Sequence, residues 1–155
     1  MLAILDQSAF AQWLIGSNSI WAYPTTLTLH TFGMMVLVGA ALMIDLRLLG
    51  FARAIPVTSM RNMFRIMWAA FALNLVTGTM LFVGDATKRA SQPLFAVKLA
   101  LVAIGIATIV LIRRRVFDGR EEPGVIDGAA TRLAVVSLIV WCAAVTAGRL
   151  LAYVG

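Results

Sequence analysis

Residues 94–112 read LFAVKLALVAIGIATIVLI, and the only ionisable side chain among them is Lys98. A single α-helix needs about 20 mostly apolar residues to cross a bilayer, so this run is long enough. A helix on the surface of a soluble bundle would also carry a polar face, and this run has none. The run therefore predicts a membrane-spanning helix.

Three further segments have the same character, at residues 27–46, 63–83 and 133–152. Of the 155 residues, 61% are hydrophobic and only 13% are charged, and the mean hydropathy is +0.93. Too few polar residues remain to cover the surface of a soluble domain. The sequence predicts an all-α fold in which residues 1–155 form one transmembrane domain, a bundle of four helices.

The segment that precedes the first span is also apolar. Residues 2–15 read LAILDQSAFAQWLI, which is too short to cross a bilayer. We expect a short interfacial helix over about 2–15 on the outer face, with Trp13, Trp21 and Tyr23 at the level of the lipid headgroups.

Local signals predict where some helices begin and where a loop lies. Pro24 and Pro93 suit the first turn of a helix, where the missing N–H does no harm, and Ser91 suits the cap of the third span. Residues 116–130, VFDGREEPGVIDGAA, contain two Asp-Gly pairs and a Pro-Gly. They predict a polar turn region.

Most basic residues lie in two loops that four spans place on the same side. They are Arg47, Arg53, Arg61 and Arg65 in the first loop, and Arg113, Arg114, Arg115, Arg120 and Arg132 in the third. The loop on the opposite side holds only Lys88 and Arg89. The positive-inside rule predicts that both arginine-rich loops are cytoplasmic and both termini lie outside. We expect a multi-pass protein of the bacterial inner membrane, surrounded by lipid. No basic stretch with interleaved aromatic residues indicates a nucleic-acid partner.

Polar groups within the spans carry most of the functional information, because each ionisable group costs about 2.5–3.5 kcal/mol there. All four spans place such groups in the outer half of the bilayer, and the spacing puts Asn74 and Thr77 on one face and Arg149 and Tyr153 on another. If these faces point inward, they line a cationic pocket for an anionic, largely apolar ligand: haem b, a quinone or a lipid headgroup. The candidate cofactor-binding residues are His30, Lys98, Arg149, Asn74, Thr77 and Tyr153, with His30 as the candidate metal ligand.

Structural interpretations of the same residues stay open. Lys98 and Arg149 lie close enough to the interface to extend their charged ends toward lipid phosphates. His30 and Asn74 suit hydrogen bonds between helices. In the cytoplasmic half Asp45 stands alone, and we expect it to pair with Arg47 or Arg65.

Catalytic motifs are missing from the sequence, so no catalytic residue is proposed and enzyme activity stays an open question. The only histidine, His30, has no carboxylate within reach on its own helix, so the sequence indicates no Ser/His/Asp set. One histidine also cannot form an intrachain bis-imidazole haem site. Its one cysteine, Cys142, forms no intrachain disulfide.

Three stretches carry a resemblance: WAYPTTLTLHTFGMMVLVGAALMIDLRLLG (21–50), SQPLFAVKLAL (91–101) and WCAAVTAGRLLAY (141–153). They resemble a family of small bacterial four-helix membrane proteins of unknown function. More distantly, the chain is similar to HemJ-like protoporphyrinogen oxidases and copper-resistance D-type membrane proteins. The HemJ-like resemblance implies haem or a porphyrin near His30 and Lys98, although this sequence lacks a second intramembrane histidine.

Three functions follow as hypotheses. The first is a membrane subunit whose outer pocket binds haem or quinone and exchanges electrons with a periplasmic partner. The second is a non-catalytic accessory or anchor subunit of a larger membrane complex, or a homo-oligomer. The third is a transporter of a metal or a small anion, although the charged groups occupy only the outer half of the bilayer.

Overall fold

The computed structural model describes residues 2–118 and 126–153, which form α-helices and no strand. The helices are α1 (Leu2–Asp6), α2 (Ala9–Gly16), α3 (Tyr23–Leu48), α4 (Met63–Gly84), α5 (Ala86–Ser91), α6 (Pro93–Ile112) and α7 (Gly128–Leu150). A 3₁₀ turn, Val57–Asn62, leads into α4, and a π-helical turn, Arg113–Asp118, extends α6. Four of these helices, α3, α4, α6 and α7, are long and apolar enough to cross a membrane. The prediction of an all-α, four-helix, multi-pass membrane protein is confirmed.

The two prolines begin helices as predicted, but the serine does not. Pro24 lies in the first turn of α3, and Pro93 begins α6. The residue that caps α6 is Gln92, while the Ser91 hydroxyl donates to the carbonyl of Lys88 at the end of α5 (2.8 Å). Ser91 is therefore the last residue of α5, the short helix between the second and third spans, and does not cap the third span.

The N-terminal segment is helical, but it consists of two helices rather than one. The Asp6 carboxylate turns away from α1 and accepts from the backbone N–H groups of Ala86 (2.6 Å) and Thr87 (3.2 Å) at the start of α5. Ser8 then caps α2 by accepting from the N–H of Ala11 (3.2 Å). Asp6, the one acidic residue in the apolar segment 2–15, thus lies at the break between α1 and α2.

The third loop is shorter than the sequence predicts. Val116 and Phe117 belong to the π-helical turn and are buried, and the Phe117 ring lies 5.0 Å from that of Phe64. The last span begins at Gly128 instead of 133, because Asp127 caps α7 by accepting from the N–H of Ala130 (2.8 Å). Arg120 and the central part of the predicted loop lie outside the described residues.

The four long helices pack so that α3 contacts α4 and α7, and α6 contacts α7. We call the end where α3 begins and α7 ends the terminal end, and the end where α3 ends and α4 begins the arginine end. Both ends of the described chain therefore lie at the terminal end, together with α1, α2 and α5. The largest cluster of buried apolar residues lies mainly in the arginine half and includes Leu37, Ile44, Met67, Ile112 and Trp141.

Asp45 does not pair with Arg47 or Arg65, so that prediction is wrong. The Asp45 side chain is 1% exposed and lies on the inward face of α3. Residues two apart on a helix do not face each other, and the Arg47 guanidinium instead donates to the carbonyls of Ile55 (2.7 Å) and Arg53 (3.4 Å). Arg65 is exposed.

Candidate functional site

His30 on α3 is held by a hydrogen bond to Thr77 on α4. The distance from His30 Nδ1 to Thr77 Oγ1 is 3.0 Å, and the Thr77 side chain is buried. The Thr77 hydroxyl donates its single proton to the carbonyl of Leu73 (2.7 Å), so it accepts from the imidazole. His30 Nδ1 is therefore the donor, and Nε2 carries the lone pair of the neutral ring. Among the described residues Nε2 has no hydrogen-bond partner.

Two glycines bring α3 and α4 close enough for this contact. A Cβ on Gly78 would lie 3.1 Å from His30 Cε1, and a Cβ on Gly33 would lie 3.1 Å from Asn74 Nδ2. Each helix therefore offers a glycine beneath a polar side chain of the other, as in close-packed membrane helices. Asn74 Oδ1 is buried and has no hydrogen-bond partner in the part of the chain that the structure describes.

Lys98 reaches the same region from α6. Its half-buried side chain packs on α7 at Gly148, where a Cβ would lie 3.4 Å from Lys98 Cε and 3.6 Å from Nζ. The ammonium group lies within electrostatic range of the His30 ring and of the Arg89 guanidinium. Within residues 2–118 and 126–153 it makes no ion pair and no hydrogen bond. We call His30, Asn74, Thr77 and Lys98 the His–Lys cluster.

Arg149 and Tyr153 do not belong to this cluster. Both side chains are exposed, and the Arg149 guanidinium lies 5.8 Å from the centroid of the Tyr153 ring. Neither side chain faces the interior of the bundle, so the condition under which the sequence places Arg149 and Tyr153 in an inner pocket is not met. The geometry suits the alternative interpretation, in which an interfacial arginine extends toward lipid phosphates beside an aromatic ring.

The larger groove in the structure does not involve the His–Lys cluster. It measures about 330 Å³, lies between the end of α2 and the start of α3, and is lined by Ile15, Ser17, Asn18, Ser19, Ile20, Tyr23 and Pro24. A second gap, beside Asp45, is too narrow to admit a water molecule. The described chain also has no group of three or more His, Cys, Asp or Glu side chains that could hold a metal ion.

Sequence reasoning found the four members of the cluster but missed two neighbours, Gly148 and Arg89. Gly148 supports the stem of Lys98, and Arg89 adds positive charge beside it. Arg89 also donates to the carbonyl of Leu151 near the end of α7 (3.4 Å). The sequence pattern that includes Gly148 is the Gly-Arg pair in the last span, from which Arg149 and not Gly148 was selected as a candidate residue.

A family model described as "Family of unknown function (DUF6644)" matches residues 9–154. The chain belongs to this family. The match covers all four spans and every residue of the His–Lys cluster. No curated protein and no solved structure matches the chain. The more distant similarity to HemJ-like oxidases and copper-resistance D-type proteins therefore finds no support in these comparisons, and the family itself brings no activity.

Proposed function

We propose that the protein is a membrane subunit that binds the headgroup of a quinone at the His–Lys cluster and exchanges electrons with a partner protein. One observation carries the proposal: two polar groups of opposite hydrogen-bonding character, His30 Nε2 and Lys98 Nζ, have no partner among the described residues, and their side chains lie within electrostatic range of each other. A quinone carbonyl accepts from the lysine, and the hydroxyl of its reduced form donates to the imidazole. An unpaired polar group inside a membrane is itself an indication of a ligand.

Quinone fits this cluster better than haem b does. A conventional b-type cytochrome holds its haem with two axial ligands, and beside His30 the same helix offers only the half-buried Met34 one turn away as a second ligand. A quinone arrives through the lipid and needs only a place where its ring meets donors and acceptors. His30 and Lys98 are both half-buried and not enclosed, and under the proposal a headgroup reaches them from the lipid.

The arginines in the loops at the arginine end favour a cytoplasmic position for that end, by the positive-inside rule. In the bacterial inner membrane the His–Lys cluster then lies toward the periplasm. Conversion of a quinone to its quinol takes two electrons and two protons. Under the proposal the electrons pass to or from a partner membrane or periplasmic subunit. His30 Nε2 accepts or returns one proton, and water at the membrane surface takes or supplies the other.

The proposal is tested by titrating decylubiquinone into the protein in nanodiscs and following the quenching of tryptophan fluorescence. Lys98→Met removes a charge-assisted hydrogen bond worth about 1.5–3 kcal/mol, so we expect roughly ten- to hundredfold weaker binding. Thr77→Val removes the acceptor that fixes the imidazole, and about two- to tenfold weaker binding follows. Arg149→Gln is the matched control, since Arg149 lies outside the cluster, and it leaves the affinity unchanged.

Equal affinities for Lys98→Met, Arg149→Gln and the unmodified protein would overturn the quinone site. A reduced-minus-oxidised spectrum with a pyridine haemochrome assay on protein from native membranes separates the haem alternative. A Soret band that disappears in His30→Ala would replace quinone with haem. If neither cofactor binds and another protein co-purifies, the accessory-subunit hypothesis becomes the leading one.

A further inference from the structure

A second polar site lies in the arginine half, about 22 Å along α3 from His30 at 1.5 Å per residue. Asp45 is 1% exposed and Ser137 on α7 is fully buried. Both line the narrow gap at the centre of the bundle, and Asp45 Oδ2 and Ser137 Oγ have no hydrogen-bond partner. The site is independent of the His–Lys cluster and of the function proposed for it.

Within residues 2–118 and 126–153, no positive charge faces Asp45 from the helices packed against it. The other residues that line the gap are all apolar: Ala41 and Ile44 on α3, Phe64 and Met67 on α4, and Ile109 and Ile112 on α6. The guanidinium of Arg113 lies 6.0 Å from the centroid of the Phe64 ring, but it is paired with Asp118 at 2.9 Å. The ion pairs of the described residues all involve Asp118 or Asp127 and leave Asp45 out.

The size of the gap decides which ligand neutralises the carboxyl group. An unpaired charge in an apolar interior costs several kcal/mol, so a buried carboxylate needs a cation, water or a proton. The gap does not admit a water molecule, which excludes a hydrated cation. A bare cation would need several oxygen ligands, and Asp45 and Ser137 are the polar residues that line the gap. A proton occupies no additional space, and it allows the carboxyl and the hydroxyl to satisfy each other.

We propose that Asp45 and Ser137 form a proton-binding site in the membrane interior, which binds its proton while α3 and α7 are packed and releases it only when they separate at the arginine end. Neither Asp45 Oδ2 nor Ser137 Oγ has a hydrogen-bond partner among the described residues, and we expect the protonated Asp45 carboxyl to donate its O–H to Ser137 Oγ across the gap that both line. Separation of the helices admits water, which takes the proton and solvates the carboxylate that is left. The packed bundle therefore binds one more proton than the open one, and each unit of rising pH favours the open form by up to about tenfold.

The first test is infrared spectroscopy of the protein in nanodiscs at neutral pH, which reports the protonation state of Asp45 without a reagent having to reach it. The unmodified protein shows the C=O stretch of a protonated carboxylic acid, and Asp45→Asn removes that band. Asp118→Asn, the control at an exposed ion pair, leaves the band in place. Ser137→Ala moves it to higher frequency because one hydrogen bond is lost, and this variant serves as the test if Asp45→Asn does not fold.

Hydrogen exchange of residues 41–48 and 130–137 is followed in parallel as the pH is raised. The proposal expects the acid band to disappear together with a rise in exchange, corrected for its intrinsic rate, in both segments, and Asp45→Asn to show no such rise. A carboxylate band in place of the acid band at neutral pH, or an acid band that Ser137→Ala does not move, would overturn the site. An acid band that disappears without a change in exchange would overturn its coupling to helix separation.

Discussion

The contact between Gly105 and Trp141 offers a direct test of the α6–α7 packing. A Cβ on Gly105 would lie 2.9 Å from both Cε2 and Cζ2 of the indole and 3.3 Å from Cη2. Trp141 is 4% exposed and belongs to the largest buried apolar cluster. Its ring is rigid, so it cannot bend away from the added methyl group. Gly105→Ala therefore forces the two helices apart or the ring out of its position.

The expected magnitude follows from two opposing effects. Adding a methyl group to a filled core destabilises a protein by about 1–3 kcal/mol. Alanine also stabilises a helix relative to glycine by roughly 0.5–1 kcal/mol. The net loss of unfolding free energy for Gly105→Ala is therefore about 1 kcal/mol, within a range of roughly 0–2.5 kcal/mol. Gly39→Ala in α3 is the matched control, because nothing lies within 4 Å of its Cβ position and only the helical gain remains.

The assay is unfolding by sodium dodecyl sulfate in mixed micelles, followed by circular dichroism and by tryptophan fluorescence. We expect a lower midpoint for Gly105→Ala, together with an altered emission spectrum of the folded state because Trp141 has moved. Gly39→Ala keeps or raises the midpoint. If Gly105→Ala and Gly39→Ala unfold alike, the close approach of α6 and α7 at this level is refuted.

Three further predictions concern the ends of the bundle. The pKa of Asp6 lies below its ordinary value of 3.8, chiefly because the Thr87 side chain donates to it, with help from the N–H groups of Ala86 and Thr87. The contact therefore stabilises the N-terminal helices above pH 3.8 and is lost as the pH falls through the lowered pKa. Amide hydrogen exchange of residues 2–16, corrected for its intrinsic rate, is expected to rise in acid, and to rise less in Asp6→Ala. In a Cys142→Ala background, Asn18→Cys reacts with an impermeant maleimide in intact cells and Ser59→Cys only after permeabilisation; the opposite pattern would reverse the proposed orientation. Asp118→Asn breaks two exposed ion pairs and lowers the unfolding free energy by no more than about 1 kcal/mol each, and a larger loss in the same micelle assay would show that these pairs are not solvent-screened.

The spans were predictable because each depends on its own composition. Residues 63–83 and 94–112 differ by one residue at an end from α4 and α6, since apolar length is a local property and Pro93 marks a helix start. The predictions were wrong where a residue distant in sequence determines the local structure. Asp6 separates α1 from α2 because the start of α5 takes its carboxylate, and no local pattern in residues 2–15 announces that contact.

The candidate site was predictable in residue type but not in arrangement. An ionisable group in an apolar run is conspicuous, so His30, Lys98, Arg149 and Asp45 all stood out from the sequence. Helical spacing says which residues share a face, but not whether that face meets another helix or lipid. A span with no strong amphipathic pattern gives no rotation about its axis. The sequence therefore left open whether Arg149 and Tyr153 face the interior, and the structure leaves both side chains exposed.

The sequence by itself determined that this protein is a four-helix membrane bundle, because in lipid the hydropathy of each segment is enough to select a spanning helix. It also determined which polar residues are unusual. Only the tertiary structure decided their partners. Glycines at positions 33, 78 and 148 set how closely the helices approach, and that approach gives His30 its hydrogen bond to Thr77 and leaves Lys98 without an acceptor. The same packing encloses Asp45 with Ser137 instead of an arginine, because the rotation of a helix in a bundle is fixed by the shapes of its neighbours and not by its own sequence pattern.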